Sequence, residues 1–218
     1  MTPVYIQDVS LPPVNHKEAL RYAACKQADS GTLELLCSCI AETQDILLSR
    51  VCWCISDVSF FEDGCRIGHI SLPSLDLQKN LHSCSRAIVF GATLGTALDR
   101  LITKYGHLSP ARALMLQALG AERIEALCDS FCDSICTQQG ISLRPRFSPG
   151  YGDLMLDVQK DIFQMLDCPK NIGLHLTQSL LMTPSKSVTA IAGIGKSCEK
   201  SNKCSLCKKT DCLFRRSV

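Results

Sequence analysis

A chain of 218 residues, 46% hydrophobic and 20% charged, is long enough to bury one substantial core and too apolar to be an unfolded polyelectrolyte. Its formal net charge of +2 hides a split, with +5 on residues 196–218 and −3 on the rest, so the basic character is confined to the tail and a general nucleic-acid-binding surface is excluded. No apolar run approaches the roughly 20 residues of a membrane-spanning helix, and Met1-Thr2-Pro3-Val4-Tyr5 lacks the basic and apolar regions of a signal peptide. A cytoplasmic protein with neither membrane nor nucleic-acid partners is expected. In a reducing compartment its fifteen cysteines are not expected to form structural disulfides, and the eleven scattered ones read as small core hydrophobes.

In chain order, Asn15 caps a helix that the pattern carries to about residue 27, and Ser30 or Thr32 caps a second with apolar Leu33, Leu35, Leu36, Ile40 and Ile46-Leu47-Leu48. The part up to about residue 50 thus reads as helical. Val51 to Phe61, β-branched and aromatic, reads as a strand, and Gly64 turns the chain into a second strand over Arg66 to Leu72. A short helix over Asp76 to Cys84 precedes a buried strand, Ser85 to Thr93, and Leu94-Gly95 leads into a helix ending near Tyr105. Ser109-Pro110 opens the longest helix, with Ala111, Leu114, Ala118, Ala121, Ile124, Cys128 and Phe131 on its apolar face and Gly140 as its stop. A helix over Asp157 to Leu166, a turn-rich stretch from Thr177 to Ser185 and a strand over Ser187 to Ile191 follow. Strands and helices mix without βαβ alternation, which predicts an α+β fold with a mixed or antiparallel twisted sheet and flanking helices. The expected organisation is one domain over 1–195 and a short basic Cys-rich tail over 196–218.

The segment Arg146-Phe147-Ser148-Pro149-Gly150-Tyr151-Gly152-Asp153 combines features that suit a small zwitterion. Arg146 offers a planar fork for a carboxylate. Pro149 and Gly150 favour a turn with a close backbone approach, and Tyr151 supplies a ring with a polar tip. The five histidines, His16, His69, His82, His107 and His175, are dispersed and read as packed or surface residues, and Lys186 reads as exposed.

That loop, followed by an amphipathic helix and then Thr177-Gln178-Ser179-Leu180-Leu181-Met182-Thr183-Pro184-Ser185-Lys186-Ser187-Val188, resembles the activation domain of cobalamin-dependent methionine synthase. The family's Arg-x-x-Pro-Gly-Tyr loop and its later Thr-Glu-Ser…Met-x-Pro…Ser-Val stretch recur here in order and at similar spacing, and the resemblance extends over about residues 80–195. It implies a module that binds S-adenosylmethionine and supports reductive methylation of inactive cob(II)alamin. The protein's part in that reaction is positioning, because the sulfonium is already a good leaving group. Carried over by motif, Arg146 pairs with the ligand carboxylate and Tyr151 packs on the ligand. The Ser148, Pro149 and Gly150 backbone approaches the adenine or ribose. Thr177 and Gln178 belong to the site, and Glu125 on the long helix opposes the ligand's positive charges. The sequence departs from the family at Gln178, where a glutamate is usual, and at Ile191 to Gly195, which replace aromatic residues.

The 218 residues contain no homocysteine or folate module and no Asp-x-His-x-x-Gly cobalt-ligand motif. The resemblance therefore implies a free-standing activation domain whose cobalamin is held by a separate, truncated methionine synthase or a related corrinoid protein. The chain would be a component of that methyltransferase and not a complete enzyme. A different class of function, a non-catalytic metal-tailed adaptor that no longer binds S-adenosylmethionine, fits the same departures. An independent methyltransferase of the common type is disfavoured, since no Gly-x-Gly-x-Gly loop follows a strand. In the tail, Cys198, Cys204, Cys207 and Cys212 supply four thiolates, enough for an iron–sulfur cluster or a structural zinc, with seven Lys and Arg nearby to offset the negative charge; the alternative is four unligated thiols whose pKa those basic neighbours lower. A flavodoxin or ferredoxin is the expected electron donor, docking on the basic tail.

Overall fold

The side chain of Asn15 accepts a hydrogen bond from Glu18 N in the computed structural model, which describes residues 2–25 and 27–195. Strand β1 (Tyr5–Asp8) precedes the capped helix α1 (His16–Tyr22), and α2 (Ser30–Thr43) follows. The cap of α2 is Asp29 rather than Ser30 or Thr32. Its backbone is extended and its carboxylate accepts from Thr32 N at 2.8 Å, so Ser30 falls inside the helix. Because α2 stops at Thr43, Ile46 and Leu48 lie beyond it and are largely exposed.

The chain continues through β2 (Arg50–Phe61), β3 (Gly64–Ile67), β4 (Ile70–Leu72), α3 (Leu75–Asn80) and β5 (Arg86–Thr93). The single strand expected over Arg66 to Leu72 is a hairpin, because Gly68 takes φ +57 and reverses the chain between β3 and β4. Helices α4 (Ala97–Leu108) and α5 (Pro110–Gln139) come next, then β6 (Ser142–Leu143), α6 (Val158–Leu166), α7 (Cys168–Ile172), β7 (His175–Leu176), β8 (Met182–Thr183) and β9 (Ser187–Gly195). Gly140, at φ +60, ends α5 as its sequence position implies.

Among the described residues one seven-stranded sheet runs β4-β3-β2-β5-β9-β6, with every pairing antiparallel. The twelve-residue β2 is long enough to pair along one edge with β1 near its start and with β3 near its end. The N-terminal part is therefore not purely helical. β1 is short and mostly exposed, and its anchor is tertiary: Tyr5 stacks on Trp53 of β2 with ring centroids 4.8 Å apart.

The sheet divides two cores. On one face α1, α2, α4 and α5 cover Trp53, Ile88, Phe90, Ala92 and Ala190, with Phe131 packed against both Phe90 and Trp53. On the other, α3, α6 and α7 cover Cys52, Cys54, Val89 and Ile191. This double burial explains why β5 is a continuous apolar run instead of an alternating one. It also explains the cysteines, since seven of the eleven described are buried. Burial drives the thiols of Cys65 and Cys132 up to about 11 and about 12. On α5 the buried surface is wider than a single stripe. Met115, Leu116 and Leu119 are buried whereas Leu114 is 58% exposed. A buried pair, Glu122–Arg123, grips the N-terminal segment through Asn15 N and the carbonyls of Pro12 and Pro13. Among the described residues no helix is long and apolar enough to cross a membrane.

Candidate functional site

The loop after β6 is tied to the sheet at Phe147, whose N–H donates to Ile191 O and whose carbonyl accepts from Ile191 N, both at 2.8 Å. Tyr151 N donates back to Ser148 O at 3.1 Å, and Gly150 between them has φ +88. Proline then glycine at the two central positions is the pattern of a type II turn. The far end is pinned by Asp153. Its carboxylate accepts from Ser74 Oγ, from Leu75 N at 2.8 Å and from Asp76 N, all at the start of α3. Hydrogen bonding, led by that from Ser74, holds the Asp153 carboxyl below the usual carboxylate range. Gly152, at φ +53, is required here, because a Cβ would meet the Asp76 carboxylate at 2.6 Å.

Held in this way, the loop opens onto a cleft of about 190 Å³ lined by Glu125, Arg146, Ser148, Pro149, Tyr151, Gln159, Met182, Val188 and Thr189. The cleft is smaller than typical small-molecule sites, which start near 300 Å³, and it is open at its rim. A larger hollow of about 570 Å³, beside Phe60, Gln78, Lys79 and His82, has no comparable convergence of charged groups.

Arg146 lies in the wall nearest α5. Its Nη2 donates to Glu125 Oε2 at 2.8 Å, and its Nη1 lies 3.0 Å from Asp129 Oδ1. Burial works to lower the Arg146 pKa, but the thiols and carboxylates around it, those of Cys128, Asp129 and Glu125 foremost, raise it overall, so the guanidinium stays charged. Tyr151 is half-exposed at the rim, with its ring edge-on to Phe147 at 6.3 Å. Desolvation, with Glu125 adding to it, raises the Tyr151 phenol above its ordinary value.

Glu125, Arg146, Ser148, Pro149 and Tyr151 thus converge on one cleft, with Gly150 at the turn between two of them. Thr177 and Gln178 sit elsewhere, exposed at the tip of the β7–β8 hairpin, where Thr177 Oγ1 accepts from Leu181 N at 3.0 Å. From that hairpin it is Met182 that reaches the cleft. Lys186 is half-buried rather than exposed. Its stem packs near Gly120, its Nζ donates to Gln117 Oε1 at 2.5 Å, and desolvation lowers its pKa. Asp129, Gln159, Met182 and Thr189 were missed by sequence reasoning. Asp129 had a signal, its i+4 spacing from Glu125 on one helix face, whereas Gln159 and Thr189 had none. Among the described residues no cluster of three or more His, Cys, Asp or Glu could hold a metal, and Cys198, Cys204, Cys207 and Cys212 lie outside the described residues.

Residues 136–202 match the family model for the vitamin B12 dependent methionine synthase activation domain. No curated protein matches the chain. Among solved structures, the MetH reactivation domain bound to AdoHcy superposes with a TM-score of 0.63 at 13% identity, covering 92% of this chain and 81% of that one. At that identity the superposition speaks for the fold, and the sequence match speaks for the segment that carries the loop and the hairpin. The chain is thus similar in fold, over nearly its whole length, to the MetH reactivation domain, and similar in sequence, over residues 136–202, to the vitamin B12 dependent methionine synthase activation domain.

Proposed function

We propose that the cleft binds S-adenosylmethionine and presents it for reductive methylation of cob(II)alamin held by a separate methionine synthase. The observation that carries this reading is the convergence on one cleft of Arg146, Ser148, Pro149 and Tyr151, from the segment that matches the family model, with Glu125 supplied by α5. The partner's corrin, once reduced by one electron, would accept the sulfonium methyl and leave S-adenosylhomocysteine, and this chain's part would be to hold and orient the methyl donor. Arg146 takes the ligand carboxylate, exchanging part of its present ion pairing with Glu125 and Asp129. Glu125 then faces the ligand's ammonium and sulfonium, and Tyr151 packs on the ligand from the rim. From the β7–β8 hairpin, whose tip carries Thr177 and Gln178, Met182 completes the wall.

The corrin partner is a truncated methionine synthase or a related corrinoid protein, and the electron comes from a flavodoxin or ferredoxin. The four tail cysteines would hold an iron–sulfur cluster or zinc, a reading supported by four thiolates that include one Cys-x-x-Cys pair and by their basic surroundings. Iron and zinc analysis of protein purified without oxygen tests that part, and finding neither metal would remove it.

Calorimetry tests the central claim. The chain should bind S-adenosylmethionine, and Arg146→Ala should weaken binding by about 100-fold or more while circular dichroism is unchanged, the scale of losing a charge-assisted fork. A wild type that binds nothing would leave the metal-tailed adaptor as the better reading.

A further inference from the structure

Two polar side chains in the cleft wall are buried and have no hydrogen-bond partner for their oxygens among the described residues: Gln159 at Oε1 and Thr189 at Oγ1. Gln159 is 5% exposed and Thr189 is 2% exposed. Leaving a buried polar atom unpaired forfeits its hydration with nothing in return, and interiors rarely tolerate it without a reason. Neither belongs to the charged wall. Arg146 faces carboxylates that α5 supplies, whereas Gln159 stands in the first turn of α6, on the opposite side of the sheet. Pro149 and Thr189 line the same cleft, so the turn stands beside this neutral wall. The cleft therefore has a charged side from α5 and an uncharged, hydrogen-bonding side from α6 and β9.

We infer that Gln159 and Thr189 recognise the 6-aminopurine ring of the ligand, an assignment that rests on the nucleoside amino acid proposed above. A zwitterionic tail belongs with Arg146 and Glu125. The uncharged remainder of such a ligand is a base and a sugar, and a 6-aminopurine shows an amine donor beside a ring-nitrogen acceptor. A Gln carbonyl and a Thr hydroxyl present the complementary acceptor and donor, and amide pairing with the adenine edge is well suited to that geometry. A 6-oxopurine reverses the donor at that position and would leave Gln159 Oε1 facing another acceptor.

Calorimetry on the full chain with S-adenosylhomocysteine and its 6-oxo analogue, S-inosylhomocysteine, tests this. The wild type should favour the adenosyl compound by about tenfold or more, as expected when one buried polar contact is lost. Gln159→Leu should shrink that preference below about threefold, and Thr189→Val should weaken adenosyl binding by about fivefold. Each substitution removes an atom that lacks a partner in the free protein, so the unfolding midpoint should hold or rise. A midpoint that falls by several degrees would assign the pair a structural task and overturn the proposal. Undiminished preference in Gln159→Leu would overturn it while leaving the ligand reading intact, and a wild type that binds neither compound would overturn both.

Discussion

The Arg146–Asp153 loop and the β7–β8 hairpin are the two halves of one family signature, yet they are held in opposite ways. The loop is fastened at Phe147 to the central sheet and at Asp153 to the start of α3, with a half-buried Arg146 paired to two carboxylates. The hairpin has strands of two residues each, and at its tip Thr177, Gln178 and Ser179 are exposed around a small set of turn hydrogen bonds. A preorganised fork reduces the ordering cost of binding, while an exposed tip is free to adjust to what enters. The segment that matches the family model therefore combines a loop fastened at both ends with an exposed hairpin tip.

Breaking the loop should have the largest effect. Gly152→Ala forces a side chain into a left-handed backbone position against Asp76, and should cost about 1–2 kcal/mol in urea unfolding and weaken S-adenosylmethionine binding with it. Unchanged stability would mean that the loop is not held from the α3 side. Asp153→Asn should act through pH. Because the folded carboxyl titrates below its unfolded value, its stabilisation is complete above the ordinary carboxylate pKa of about 3.9 and disappears as pH falls through the lower folded value. Melting curves of wild type and variant should thus differ at pH 7 and converge as the pH drops below about 4. A gap that stays constant through that window would contradict the capping role.

The hairpin should respond less. Thr177→Ala removes the acceptor for Leu181 N and should cost about 0.5–1 kcal/mol by thermal unfolding. Gln178→Glu, which restores the family's charge at the tip, should change stability by less than about 0.5 kcal/mol and ligand affinity by less than about threefold on titration. A much larger gain in affinity would show that the tip closes on the ligand, and the contrast between loop and tip would narrow.

Much of this arrangement was legible in the residues. Asn15, Ser109-Pro110 and Gly140 mark helix ends by local chemistry, and Pro149-Gly150 marks its turn, because a cap or a positive φ is decided within a few residues. Competition misled where two local solutions were available: Asp29 outcompeted Ser30 and Thr32, and Gly68 split a strand whose apolar residues continue on either side. Leu114 was misplaced because α5 packs against several elements at once, so no single stripe describes its buried surface. β1 gave almost no signal, since four mostly exposed residues become a strand only through pairing with β2.

The chain by itself determined the ends marked by Asn15, Ser109-Pro110 and Gly140, the Pro149-Gly150 turn and the ordered pair of motifs, because caps, turns and side-chain chemistry act over short sequence distances. Only the tertiary structure decided what surrounds Arg146. Glu125 and Asp129 reach it from a helix that precedes it by roughly twenty residues, and Thr189 follows it by more than forty. Whether a glutamine is buried without a partner depends on what the sheet, α5 and α6 enclose together. Gln159 and Thr189 are ordinary residues in sequence, and they become a wall of the cleft only once the two faces of the sheet are covered.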